Sequence, residues 1–172
     1  MNRILVLTSD PDAKLTGALL ALENMGALNG TVCAVGQNIT RDCTSKAYPP
    51  VFYVDDYGDG LLELLEHYDP DIVLLLYFNR LLEKSVCQAY DSRIINLHGS
   101  LLPNHKGRKG LEKAWEAQEL GFTWHYVVPE MDSGPIIRQI KLQQLAGETV
   151  YEYIDRFELA VIRDLPVLFK SL

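Results

Sequence analysis

The sequence is poor in cysteine, in net positive charge and in long apolar runs, and each scarcity closes a class of reading. Three cysteines, Cys33, Cys43 and Cys87, are odd in number and form no Cys-x-x-Cys pair. A disulfide framework is therefore not expected, and the thiols read as free, in a reducing compartment. A formal net charge of -7 supplies no basic field that would gather nucleic acid or an anionic membrane. An anionic ligand would need a local basic pocket. The longest apolar run, Ile72 to Phe78, is too short to span a bilayer, and the chain opens on a strand-like Ile4 to Leu7 rather than on a charged leader. A cytoplasmic protein with neither a nucleic-acid nor a membrane partner is expected.

What is present is enough apolar material for a core: 48% of the 172 residues are hydrophobic. A chain of this length buries roughly 70% of its unfolded surface in one domain. Residues 3–8 read as a buried strand. Asp12 then caps a helix in which Leu15, Ala18, Leu19, Leu22 and Met25 hold helical spacing. Further strands are expected at 31–35, 51–54, 72–77 and 93–97, with helices over 61–68 and 81–90 between them. Repeated strand-helix-strand order predicts a Rossmann-like α/β fold, with a mostly parallel sheet flanked by helices. After Pro103 come a basic loop over 104–110, a helix marked by Leu111, Ala114, Trp115 and Gln118, and two strands at 123–128 and 136–142. These strands predict an antiparallel extension. A last helix from Val150 bends or restarts at Pro166. No repeat or long linker divides residues 1–172, so one domain is expected.

Chemistry concentrates at Asn96-Leu-His98. On a strand, residues two apart share a face, so a carboxamide and an imidazole point the same way where the strand opens into a loop. Ligands of open α/β sheets bind beyond such strand ends. Asn96 can donate to a developing oxyanion, and His98 can move a proton or polarise a carbonyl. Asp132, between the two late strands, can orient His98 or relay a proton through water. The loop after Tyr77, with Phe78, Asn79 and Arg80, reaches a strand end as well. Serine hydrolase chemistry through His98, Ser100 and Asp132 fits poorly, because Ser100 is two residues from His98 and no nucleophile elbow is present. A metal site of His98, His105 and Asp132 matches no familiar ligand spacing, and no metal is expected.

Three segments together resemble one family. Asn96-Leu-His98-Gly-Ser100-Leu-Leu-Pro103, followed by Gly107, is similar to the Asn-x-His-x-Ser-Leu-Leu-Pro signature of the folate-dependent formyltransferases. His125-Tyr-Val-Val-Pro-Glu130-Met-Asp132-Ser-Gly134 resembles that family's catalytic aspartate segment, and Phe78-Asn-Arg80-Leu-Leu82 its folate-lining segment. The resemblance is greatest to the catalytic domain of the glycinamide ribonucleotide formyltransferase type. It implies direct attack of an acceptor amine on the formyl carbon of 10-formyltetrahydrofolate, with no acyl-enzyme. Asn96 and His98 would hold the tetrahedral oxyanion, and Asp132 would hold His98 and relay a proton. Folate would lie along Phe78, Arg80, Leu81 and Leu82, and along Val127, Val128, Glu130 and Met131. Asn79, Gly99 and Lys106 would face the acceptor. The implied partners are folate and a small, phosphorylated amine, with a homodimer left open as an assembly.

The chain departs from the subfamily in places. The subfamily's glycine-rich phosphate loop is replaced by Ser9-Asp10-Pro11-Asp12-Ala13-Lys14, where a proline removes a donor and two carboxylates repel an anion. Gly99 replaces a proline, and Asn79 an apolar residue. A nucleotide-linked aminosugar therefore stands beside glycinamide ribonucleotide as an acceptor class. Formyltetrahydrofolate hydrolysis and non-catalytic folate binding are the competing readings.

Overall fold

The computed structural model describes residues 3–9, 29–34 and 57–172. It divides into two compact units, Met1–Ile95 and Asn96–Leu172. The expected helix from Asp12, the strand at 51–54 and the Asp10 to Lys14 loop lie outside the described residues.

In the first unit, β1 (Arg3–Thr8) pairs in parallel with β2 (Asn29–Ala34) on one side and with β3 (Ile72–Leu75) on the other. Ile4 to Leu7 and all four residues of β3 are buried. This is why both segments read as unbroken apolar runs instead of alternating ones. The β3 strand is two residues shorter than the expected 72–77 span, because Tyr77 takes a left-handed φ of 48° and turns the chain. Helix α1 (Asp59–Tyr68) buries Leu61 and Leu65 and ends where Asp69, at a φ of 43°, donates its amide to Leu65 O. Helix α2 (Lys84–Ala89) is shorter than its expected 81–90 span, with only Val86 and Cys87 buried.

Strand β4 (Ile94–His98) carries the chain across the boundary between the units. Its first residues neighbour β3, where Val73 N donates to Arg93 O; in the second unit the strand order runs β4-β5-β6. Helix α3 (Gly110–Ala117) separates β4 from β5 (Gly121–Tyr126), which pairs antiparallel with β6 (Ile136–Lys141). The expected antiparallel extension is present, with β5 starting two residues earlier than the alternation suggests. Phe122 and Trp124 lie on one face of β5 and meet each other, and Phe122 packs on Phe157 of helix α4 (Val150–Ser171); Phe157 in turn meets Tyr153. Thr123 and His125 lie on the other face.

A capping box starts α4: Thr149 Oγ1 accepts from Glu152 N, while Thr149 N donates to the Glu152 carboxylate. The helix does not restart at Pro166. It runs through the proline, with buried Leu165 and Leu168 on either side. Packing at both residues holds the turn despite the lost N–H. Among the described residues no helix is long and apolar enough to cross a membrane.

Candidate active site

Asn96 and His98 sit on the last turns of β4's zigzag. His98 is buried and Asn96 half-buried. The loop that follows is built from buried polar groups. Thr123 Oγ1 donates to Ser100 O at 2.7 Å and accepts from Leu102 N and from Gln139 Nε2, both at 3.0 Å. Ser100 is fully buried and its hydroxyl donates to Asn104 O. Ser100 is therefore a loop fastener and no nucleophile, which leaves the serine hydrolase reading of His98, Ser100 and Asp132 without its nucleophile.

Both nitrogens of His98 face acceptors. Nε2 lies 3.0 Å from His105 O, and Nδ1 lies 3.4 Å from Asp132 Oδ2. His105 takes a left-handed φ of 55°, and its ring is tied by Nε2 to Glu119 Oε2 at 2.7 Å. That carboxylate also accepts from Asn104 Nδ2. Gly110 closes the other side, where a Cβ would stand 2.9 Å from His98 Cε1 and Nε2. Burial lowers the His98 pKa; the Asp132 charge and the His105 carbonyl pull the other way, and burial prevails. The imidazole is therefore neutral at pH 7, but its conjugate acid would find an acceptor at each N–H at once. Such a group is well placed to receive a proton.

Asp132 stands at a left-handed φ of 49° with its side chain 10% exposed. Such strain in a non-glycine residue concentrates at working sites. Oδ2 accepts from Gly107 N at 2.7 Å. Burial pushes its pKa up, but the His125 contact, the nearby His98 and the Gly107 amide outweigh it and hold it below the ordinary carboxylate value. Asp132 is thus ionised at neutral pH.

His125, read in the sequence as part of an alternating strand and as the start of the aspartate segment, with no role of its own, belongs to the same cluster. It is buried, and its Nδ1 lies 2.9 Å from Tyr126 O. Its Nε2 lies 3.1 Å from Asn96 Nδ2 and 3.5 Å from Asp132 Oδ1. A break in register at Trp124/His125 re-aims this residue. Gly134 approaches Tyr126 O so closely that a Cβ would meet it at 1.8 Å. No sequence pattern announces this role, although His125 opens the segment that carries Asp132.

Of the other candidate residues, Lys106 donates from Nζ to Ser133 Oγ at 3.0 Å, beside Asp132. Ser133 Oγ donates in turn to Met131 O. Met131 and Glu130 are exposed, and Val127 and Val128 half-buried. Gly99 packs against Leu111, where a Cβ would lie 3.1 Å from Leu111 Cβ. In the first unit, Phe78 meets the edge of Tyr57 at 6.0 Å and the Arg80 guanidinium lies 5.9 Å from the Tyr57 ring centroid. Leu81 is 63% exposed and Leu82 half-buried. Asn79 is committed to Ser9: its amide N donates to Ser9 Oγ, and its Oδ1 accepts from the same hydroxyl. Among the described residues no group of three or more histidine, cysteine, aspartate or glutamate side chains is disposed to hold a metal ion.

A family model described as formyl transferase matches residues 3–163, and the chain belongs to that family. The chain is 37% identical over 97 residues to phosphoribosylglycinamide formyltransferase of Escherichia coli, covering 54% of this chain and 45% of that protein. It is 41% identical over 80 residues to formyltetrahydrofolate deformylase of Bacillus subtilis, covering 45% of this chain and 27% of that one. It thus spans less than half the length of these two curated relatives. The crystal structure of glycinamide ribonucleotide transformylase 1 from Symbiobacterium toebii superimposes with a TM-score of 0.79 at 28% identity, covering 98% of this chain and 85% of that one. The expected α/β formyltransferase fold, with a central sheet flanked by helices, is borne out.

Proposed function

We propose that residues 1–172 act as one formyltransferase-like catalytic domain, which takes the formyl group of 10-formyltetrahydrofolate and passes it to the amine of a small metabolite. The observation that carries the reading is the neutral, buried His98 with an acceptor at each nitrogen, one of them the ionised Asp132. Asn96, on the same strand face, donates to the oxyanion that forms when the amine attacks the formyl carbon. His98 stands beside Asn96 at that oxyanion, and Asp132, which holds His98, relays through water the proton that the attacking nitrogen sheds. The proton then passes to the folate nitrogen as its bond to the formyl carbon breaks. The products are an N-formyl amine and tetrahydrofolate, so atoms and charge balance without an acyl-enzyme.

The formyl donor fits what the chain offers. The side-chain hydrogen bonds of the β5–β6 loop run among Met131, Asp132, Ser133, Lys106 and Gly107. Backbone groups of Val127, Val128 and Glu130 lie outside that set and suit a pterin, and exposed Met131 supplies apolar surface. Phe78, Arg80, Leu81 and Leu82 are the folate-contact residues proposed for the first unit. Lys106 and Gly99 face the acceptor. Asn79, held by Ser9, contributes only through its remaining amide hydrogens. Glycinamide ribonucleotide or a nucleotide-linked aminosugar is the acceptor, in the cytoplasm, with a homodimer as the working assembly. No metal takes part.

Similarity to deformylases supports a second reading, in which water replaces the amine and the same residues release formate. Incubation with 10-formyltetrahydrofolate, with and without a panel of amines that includes both acceptor classes, separates them. Amine-dependent turnover is expected. Equal turnover in buffer alone means hydrolysis, and folate binding without turnover means a non-catalytic relative.

A further inference from the structure

The proposed chemistry requires an N–H, and not a carbonyl oxygen, of the Asn96 side chain to meet the oxyanion. A carboxamide can turn by half a rotation and exchange the two at little steric cost. Something must therefore fix its sense, and the neighbour within hydrogen-bond distance of Asn96 Nδ2 is His125 Nε2, at 3.1 Å.

The sense follows from the far side of the ring. Tyr126 O is a carbonyl and can only accept, so the 2.9 Å contact puts a proton on His125 Nδ1. In the neutral ring Nε2 is then a lone pair, which accepts one N–H of Asn96. The second N–H of that amide stays available. A protonated Nε2 would instead turn its hydrogen to Asp132 Oδ1, 3.5 Å away, and repel the Asn96 amide nitrogen. The charged and titratable neighbours of this ring are Asp132 and His98, whose ring centroid is 6.5 Å away. Asp132 is already engaged through Oδ2 by Gly107 N and faced by His98 Nδ1.

We infer that His125 is a positioning residue: as the Nδ1-protonated tautomer, held by the Tyr126 carbonyl, it fixes the Asn96 carboxamide with an N–H toward the reacting carbonyl. This rests on the formyl-transfer reading for its consequence, but not for its geometry.

The test has one readout that needs no catalysis and one that does. Long-range proton–nitrogen correlations of the folded wild-type protein at pH 7.5 are expected to show His125 with Nδ1 protonated and Nε2 bare. A ring protonated at Nε2, whether neutral or cationic, overturns the inference, even if the protein proves inactive on every substrate. For catalysis, His125→Phe keeps the bulk and loses the acceptor. Turnover of 10-formyltetrahydrofolate is expected to fall about tenfold to a hundredfold, with folate Kd unchanged, because the oxyanion donor is no longer aimed. His125→Gln, whose side-chain oxygen can accept from Asn96, is expected to regain most of the loss. In an Asn96→Ala background, His125→Phe is expected to cost nothing further. A full additional loss there, or no rescue by glutamine in a folded variant, overturns the positioning role.

Discussion

Two buried carboxylates of the second unit, Asp132 and Asp164, invite comparison. Their side chains are 10% and 7% exposed, and each lies beside β5, on opposite faces of the strand. Asp164 accepts from Trp124 Nε1 at 2.9 Å and from Arg138 Nε at 2.8 and 3.1 Å. Neither donor loses its proton at physiological pH, so these hydrogen bonds persist and hold α4 to the sheet. Asp132 has one permanent donor, the Gly107 amide, and two imidazoles whose protons can move. The same side chain, similarly enclosed, meets only permanent donors in one setting and imidazoles that can gain or lose a proton in the other. The partners make the difference.

The comparison can be broken most severely at His98. His98→Ala should lower formyl turnover by two or more powers of ten while the circular dichroism spectrum stays native. Activity within tenfold of wild type would remove the proposed site.

Gly110→Ala sharpens the same point through geometry. The new Cβ would stand 2.9 Å from the His98 ring and 3.3 Å from His105 O, so the imidazole must shift. A loss of about tenfold to a hundredfold in kcat is expected, since a displacement near 1 Å costs on that order. Steady-state kinetics beside a thermal melt would show whether the loss exceeds that of misfolding.

Stability against pH separates the two carboxylate settings further. The folded pKa of His98 lies below the ordinary imidazole value of about 6.5. Between those two values the unfolded chain binds the extra proton, so stability is complete above about 6.5 and falls as pH drops toward the folded value. Asp132, held low, gives stability that is present above the ordinary carboxylate value of about 3.9 and lost as pH falls below it. Urea midpoints should therefore decline in two steps on acidification. His98→Gln should erase the first step and leave the second.

The smallest effect is remote from the site. Thr149→Ala removes the α4 cap and should cost about 1 kcal/mol, with turnover per folded molecule unchanged. Denaturant titration measures it.

How much of this was legible in the sequence follows from how local each feature is. Buried β3 was plain, because a strand covered on both faces must be apolar throughout. Asn96 and His98 were legible because residues two apart on a strand share a face. The start of β5 was misread by two residues: Gly121 to His125 are all buried, so alternation there marks no solvent face. The restart expected at Pro166 does not occur, because its local cost is offset by packing at Leu165 and Leu168. His125 was hidden for a different reason. Its meaning depends on a register break, on the Tyr126 carbonyl and on partners from β4 and the β5–β6 loop, none of which its neighbours in sequence encode. The left-handed backbone at His105 and Asp132 is likewise a product of tertiary closure, as neither residue type demands it.

The measurement closest to the central claim is a single-turnover reaction of 10-formyltetrahydrofolate with the amine panel, run side by side on wild type, Asp132→Asn and Asp164→Asn at a temperature where all three are folded. The wild type should deliver the formyl group, Asp164→Asn should retain most of that rate despite a lower Tm, and Asp132→Asn should lose at least a hundredfold without a comparable loss of Tm. Equal rates in the two variants, or a wild type that neither transfers nor releases the formyl group, would contradict formyl chemistry at Asn96, His98 and Asp132.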